Sequence, residues 1–163
     1  MATRNSAKPL TGTRIVSLAL NLPGPAALMR LSAMGARCLK VEPPGPGTTS
    51  AGRPISGDPM GQYDIGAYSV MHEDVRVVQM DLKTERGQAQ LARELLRADL
   101  LLTSFRPSAL AKLGLDWKSL RRPFPHLSMV EIVGAPGERA EEPGHDLTYL
   151  ADAGLVTGTD LPP

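Results

Sequence analysis

A single cysteine, Cys38, stands in a chain of 163 residues. It cannot close an intramolecular disulfide, and alone it cannot build a structural zinc site. Aromatic residues make up only 4% of the chain, too few for the stacking platforms that bind single-stranded nucleic acid. Neither sign of charge is in excess: eighteen Lys and Arg face seventeen Asp and Glu, a formal net charge of +1. That balance argues against a whole-molecule basic field and a nucleic-acid partner. No apolar run approaches the roughly 20 residues of a membrane-spanning helix, so no membrane partner is expected. The N-terminal apolar run, Ile15 to Leu22, is interrupted by Asn21 and followed by Pro23-Gly24-Pro25, with Arg30 where a cleavage region would fall. A secretion signal is therefore not expected, and a reduced, cytoplasmic setting is. The glycine loops of nucleotide-binding proteins and the GxSxG elbow are missing. His72, His126 and His145 show no ligand spacing with one another, so no metal site is expected.

Glycine and proline are abundant, at 16 and 15 residues, which predicts many tight turns. Hydrophobic residues at 42% and charged residues at 21% are an ordinary globular balance. The length suits one domain over 1–163, able to bury roughly 70% of the surface of its unfolded chain.

Strand and helix patterns alternate along the chain. Arg14 to Leu20 is a short apolar run closed by a Pro-Gly-Pro turn, as in a buried strand. Pro25 suits the first turn of a helix running through Met34, with Gly35 as its stop. Cys38 to Glu42 reads as a second strand, which completes a βαβ unit. Residues 43–66 hold eleven Pro and Gly positions from Pro43 to Gly66 and read as one long surface loop. Val75 to Leu82 reads as a third strand. Thr84 can cap a helix running to about Arg97, with Ala89, Leu91, Ala92, Leu95 and Leu96 as its apolar stripe. Asp99 to Thr103 gives a fourth strand and Leu127 to Val133 a fifth, with short helices predicted at Pro107 to Leu113 and Trp117 to Arg121 between them. A polar turn, Gly134 to Gly144, then leads into a helix over Asp146 to Leu155. This alternation predicts α/β architecture with a mostly parallel open sheet.

Four stretches carry residues suited to chemistry. Leu20-Asn-Leu-Pro-Gly-Pro25 and Ser104-Phe-Arg-Pro-Ser108 each follow a strand, the end at which open parallel sheets bind ligands. Arg106 offers a planar fork for phosphate and Phe105 a ring. Met80-Asp-Leu-Lys83 passes from strand to helix, where a lysine can meet a phosphate. Gly144-His-Asp-Leu-Thr-Tyr149 places His145 and Asp146 at a predicted helix start, whose positive end favours an ionised carboxylate and a neutral imidazole. Those are the forms a nucleophile and a general base require. On its pattern alone, each stretch reads first as an ordinary turn, cap or solvated charge.

In order, however, the chain resembles the N-terminal half of the class III coenzyme A transferase family, which also contains 2-methylacyl-CoA racemases and carnitine CoA-transferases. The resemblance rests on Pro9-Leu-Thr-Gly-Thr-Arg-Ile-Val16, Gly24-Pro-Ala26, Met34-Gly-Ala36, Lys40-Val-Glu-Pro43, Asp81-Leu-Lys83, Arg97-Ala-Asp99, Phe105-Arg-Pro107, Leu113-Gly-Leu115 and Pro143-Gly-His-Asp-Leu147. It implies a Rossmann-like fold, truncated relative to the family, with CoA as a thioester substrate and a carboxylic acid as acceptor. It implies CoA contacts at Asn21, Met80, Lys83, Ser104, Phe105, Arg106 and Lys112. By the same resemblance Asp146 is the nucleophile of the transferase branch and His145 the base of the racemase branch. A second copy of the chain, or another chain supplying the family's remaining half, is the expected protein partner. A non-catalytic CoA-binding or interaction module is the alternative to an enzyme.

Overall fold

The computed structural model describes residues 8–156. Five strands form one sheet: β1 (Arg14–Ser17), β2 (Arg37–Glu42), β3 (Arg76–Gln79), β4 (Leu100–Thr103) and β5 (Ser128–Glu131). The sheet order is β3-β2-β1-β4-β5, and every neighbouring pair is parallel. The α/β parallel sheet expected from the alternation of patterns is therefore present. The chain goes outward from β1 to β3, then returns across β1 to β4, which makes the gap between β1 and β4 a topological switch point.

The helices that cross between strands are α1 (Pro23–Ala33), α2 (Met60–Tyr63), α3 (Ile65–Met71), α4 (Glu85–Leu95), α5 (Pro107–Lys112) and α6 (Trp117–Leu120). A 3₁₀ turn (Gly137–Glu141) and α7 (Asp146–Asp152) follow β5. Thr84 caps α4 by accepting from the Gly87 amide, as the sequence predicts. The stretch 43–66, expected as a single irregular loop, instead holds α2 and the start of α3. These two short helices are the crossover that a parallel β2–β3 pair requires.

Alternating strand residues feed two cores. Val16 and Leu18 of the β1 segment, with Leu39 and Val41 of β2, face Leu91 and Leu95 of α4 and Leu110 of α5. Ile15 and Ala19, with Cys38 of β2, face Leu28 of α1. Burial raises the Cys38 thiol to a pKa of about 11, which keeps it protonated and unreactive.

On that second face β2 departs from the apolar rule for parallel strands covered on both sides. Lys40 and Glu42 share that face with Cys38, and both are essentially inaccessible to solvent. No residue of α3 is buried, and Ile65 and Val70 stay exposed at 71% and 65%. A buried polar cluster, not an apolar stripe, joins this crossover to the sheet.

Candidate functional site

A cleft of about 650 Å³ opens at the C-terminal ends of β1, β4 and β5. The segments that follow these strands line it: Leu20 and Asn21 after β1, Ser104 to Arg106 after β4, and Ile132 to Gly134 after β5. The opening thus lies at the switch point, where the loops after β1 and β4 diverge.

Hydrogen bonds between the strand exits fix its floor. The Leu20 amide donates to Ser104 Oγ at 3.1 Å, tying the β1 exit to the β4 exit. The Phe105 amide donates to Thr103 Oγ1 at 3.1 Å, and the Ile132 amide to the Thr103 carbonyl at 2.8 Å. Arg106 is exposed at the N-cap of α5. Glu141 accepts from both the Ser108 amide (2.7 Å) and the Ser108 hydroxyl (2.9 Å). These bonds dock the 3₁₀ turn on the start of α5, where a carboxylate is favoured.

The far wall depends on two glycines. A Cβ on Gly134 would meet the Gly144 amide nitrogen at 2.5 Å, and one on Gly144 would collide with Tyr149 Oη. With neither Cβ present, the segment following β5 and the segment preceding α7 touch backbone to backbone. The Tyr149 hydroxyl then donates to the Gly134 carbonyl at 3.0 Å. Arg139 pairs with Glu142 at 2.6 Å and with Asp152 at 3.5 Å, holding the 3₁₀ turn to the end of α7. His145 is the N-cap of α7 and Asp146 its first residue. Both line the cleft and are exposed.

Of the residues singled out in the sequence, the cleft brings together Asn21, Ser104, Phe105, Arg106, His145 and Asp146. Met80, Lys83 and Lys112 do not line it. Met80 is buried in the core against α4 and its neighbours. Lys83 is exposed in the turn after β3, and β3 lies two strands, roughly 10 Å, from β1. Lys112 is exposed at the end of α5. The sequence reading passed over Tyr63 and Glu142 and gave no site role to Gly144 and Tyr149, all of which line the cleft. The Gly134–Gly144 contact spans ten residues of polar turn, and no local pattern announces it.

Behind the cleft sits the polar cluster of β2. The Lys40 ammonium is paired with Asp58, lies 3.2 Å from Glu42 Oε1 and lies 3.0 Å from His72 Nε2. His72 Nδ1 is 2.6 Å from the Tyr68 carbonyl, so Nδ1 carries the proton and Nε2 accepts from Lys40. Glu42 also accepts from Tyr68 Oη (2.6 Å), Ser56 Oγ (2.7 Å) and the Gly57 amide (3.2 Å). Among the described residues no buried side-chain polar atom lacks a partner. The Tyr68 hydroxyl is pushed up by burial and by its bond to Glu42. The His72 imidazole is pushed below its usual pKa, chiefly by burial and also by the Lys40 charge.

The His72 shift has a pH consequence. The folded state holds His72 neutral while the unfolded chain binds a proton near pH 6.5, so stability rises with pH across that window. Stability contributed by His72 is full above about pH 6.5 and is lost as pH falls below it, by at most about 1.4 kcal/mol per pH unit. Urea midpoints of the wild type are expected to fall between pH 7.5 and 5.5, and those of His72→Gln to fall less. Equal falls would show that His72 is not the responsible group.

Residues 10–163 match the family model described as CoA-transferase family III. The chain belongs to CoA-transferase family III. It is 36% identical over 165 residues to the probable fatty acyl-CoA transferase Rv3272 of Mycobacterium tuberculosis, covering 99% of this chain and 41% of that protein. It is 32% identical to the cinnamoyl-CoA:phenyllactate CoA-transferase of Clostridium sporogenes, covering 95% of this chain and 38% of the relative. It is 33% identical to human alpha-methylacyl-CoA racemase, covering 91% of this chain and 35% of the relative. A crystal structure of Rv3272 superposes with a TM-score of 0.76 at 32% identity, over 96% of this chain and 42% of that one. The family III chain thus spans about two-fifths of the length of these relatives. Among its described residues no helix is long and apolar enough to cross a membrane, and no cluster of His, Cys, Asp and Glu is placed to hold a metal ion.

Proposed function

We propose that this chain carries the acyl-exchange site of a class III CoA transferase, with an acyl-CoA thioester as donor and a carboxylic acid as acceptor. The observation that carries the reading is the meeting of Asp146 and His145 with Asn21 and Ser104 to Arg106 in one cleft at the switch point of the sheet. In this reading a carboxylate oxygen of Asp146 attacks the thioester carbonyl, the C–S bond breaks, and CoA departs as thiolate. The thiolate then attacks the aspartyl carbonyl of the mixed anhydride and releases the donor acid, leaving an aspartyl–CoA thioester. The acceptor carboxylate attacks that thioester, and the returning thiolate takes the acceptor acyl group and frees Asp146. Every bond broken is matched by one formed, with no water and no oxidant consumed. Arg106 faces the CoA phosphates as a planar fork, and the Asn21 carboxamide lies toward the thioester. Lys83 and Lys112, outside the cleft, belong to the more distant phosphates.

A second reading, racemisation of a 2-methylacyl-CoA, is favoured by one observation: His145 shares the cleft with Asp146 and can act as a base. A third is a CoA-binding module without turnover. One experiment separates them on the full chain. Acetyl-CoA and 2-methylacyl-CoA are each supplied in deuterated water with and without a carboxylic acid, then quenched with hydroxylamine. The transferase reading expects a hydroxamate on the peptide carrying Asp146 and a CoA thioester of the added acid, with no deuterium entering either acyl group. Deuterium entering the α-carbon without an acceptor acid, and no hydroxamate, would replace it with the racemase. CoA binding that survives Asp146→Ala, with neither reaction, would replace it with the binding module.

A further inference from the structure

We propose that Asp58 is a positioning residue for the cleft, one that holds Asn21 in place through its backbone; the inference rests on the reading of the cleft as an acyl-CoA site. Asn21 has φ +60°, and no other non-glycine described residue has positive φ. Asparagine tolerates this left-handed region better than most residues, but a segment held there still needs an anchor. The anchor is Asp58 Oδ1, which accepts from the Asn21 amide at 3.0 Å.

The same oxygen accepts from the Met60 amide at 3.0 Å. Met60 opens α2, and that helix ends at Tyr63, another cleft-lining residue. One carboxylate oxygen therefore fixes two points on the rim, the β1 exit and the start of α2. The other oxygen, Oδ2, is engaged by Lys40, so the carboxylate cannot swing away. Asp58 itself is fully buried, and its own amide donates to Ser56 Oγ at 3.0 Å. A partner needed only to neutralise Lys40 would leave Oδ1 with any donor. Here Oδ1 meets the amide of an exposed residue that lines the cleft. With its backbone amide engaged, the Asn21 carboxamide is left facing outward to a bound acyl group.

The chain contains two asparagines, Asn5 and Asn21, so selective ¹⁵N-asparagine labelling gives two backbone amide signals and two carboxamide pairs. In the wild type the Asn21 amide should lie downfield and be slow to exchange, as expected for a donor to a carboxylate. Asp58→Asn keeps an oxygen acceptor and adds one asparagine signal of its own; in it the Asn21 amide should move upfield but remain protected. In Asp58→Ala it should lose protection. Adding acetyl-CoA to the wild type should shift the Asn21 carboxamide pair, and Asp58→Ala should bind acetyl-CoA about tenfold more weakly with that response lost. Asn21→Gly, which takes positive φ without cost, should remove one backbone amide and one carboxamide pair and so assign the Asn21 signals. An unprotected Asn21 amide in the wild type would overturn the proposal without any variant. So would an Asn21 amide in folded Asp58→Asn identical to that of the wild type. Absence of acetyl-CoA binding by the wild type, with the amide responses as expected, would remove the acyl-CoA reading and leave Asp58 as the anchor of the rim.

Discussion

Lys40→Met is expected to destabilise the fold by about 3–5 kcal/mol, the cost of leaving buried charge unpaired. That is a large share of the 5–15 kcal/mol typical of a domain. The size follows from what surrounds the ammonium. Lys40 is 0% exposed, and its ammonium is hydrogen-bonded to Asp58 and His72 and ion-paired with Glu42. Methionine fills a similar volume, so little cavity energy enters, and the loss is electrostatic. Two carboxylates, Asp58 and Glu42, then face each other in a site closed to solvent. Urea unfolding monitored by circular dichroism measures the loss. Lys118→Met, at an exposed position in α6, is expected to stay within about 0.5 kcal/mol. Adding Asp58→Asn to Lys40→Met should cost less than the sum of the two single changes, by on the order of 1–3 kcal/mol, because the second change removes one of the stranded charges. Strict additivity would mean that the pair does not act as one unit.

The same cluster marks the boundary of what the sequence discloses. The α4 stripe is legible because Leu91 and Leu95 recur at helical spacing and both are buried. Strand β1 is legible because its apolar run stops at a Pro-Gly-Pro turn. The α2–α3 crossover is not legible, because its attachment to the sheet uses Tyr68, His72 and Asp58 in place of an apolar face. A run such as Met60 to Met71, with nothing buried beyond Met60 at its start, carries no period to detect. One signal was available. Lys40 and Glu42 alternate with Leu39 and Val41 on a strand of a parallel sheet, and such strands are covered on both faces. An inward lysine there requires buried partners, although their positions, 18 residues on at Asp58 and 32 at His72, follow only from the fold. The cleft was more legible than the cluster. Asn21 and Ser104 to Arg106 follow strands directly, so the parallel topology alone places them at one end of the sheet. Met80 and Lys83 also follow a strand, but β3 is an edge strand away from the switch point. Sequence order does not reveal which strand ends become neighbours.

Asp146→Asn and His145→Gln are expected to separate the two enzymatic readings by the order of their effects. Both residues are exposed and neither side chain caps the helix, so each change should cost little stability. In the transferase reading, the donor acid leaves as a carboxylate, the acceptor arrives as one, and sulfur departs as thiolate. No proton moves in any step, so a general base has little to contribute. His145→Gln should then lower acyl exchange by about tenfold or less, through altered packing of the cleft wall. Asp146→Asn removes the attacking oxygen altogether; the hydroxamate adduct should vanish and exchange should fall by on the order of 10⁴-fold or more. Racemisation reverses the ranking. Taking the α-proton needs a base, and its loss in His145→Gln should lower deuterium entry by about 10²–10⁴-fold, with the smaller effect at Asp146→Asn. Acyl exchange and deuterium entry measured on both variants therefore give two ratios with opposite predicted order. Adjacent residues on one helix turn make the comparison a clean one, since a general disturbance of the α7 start would lower both activities in both variants alike.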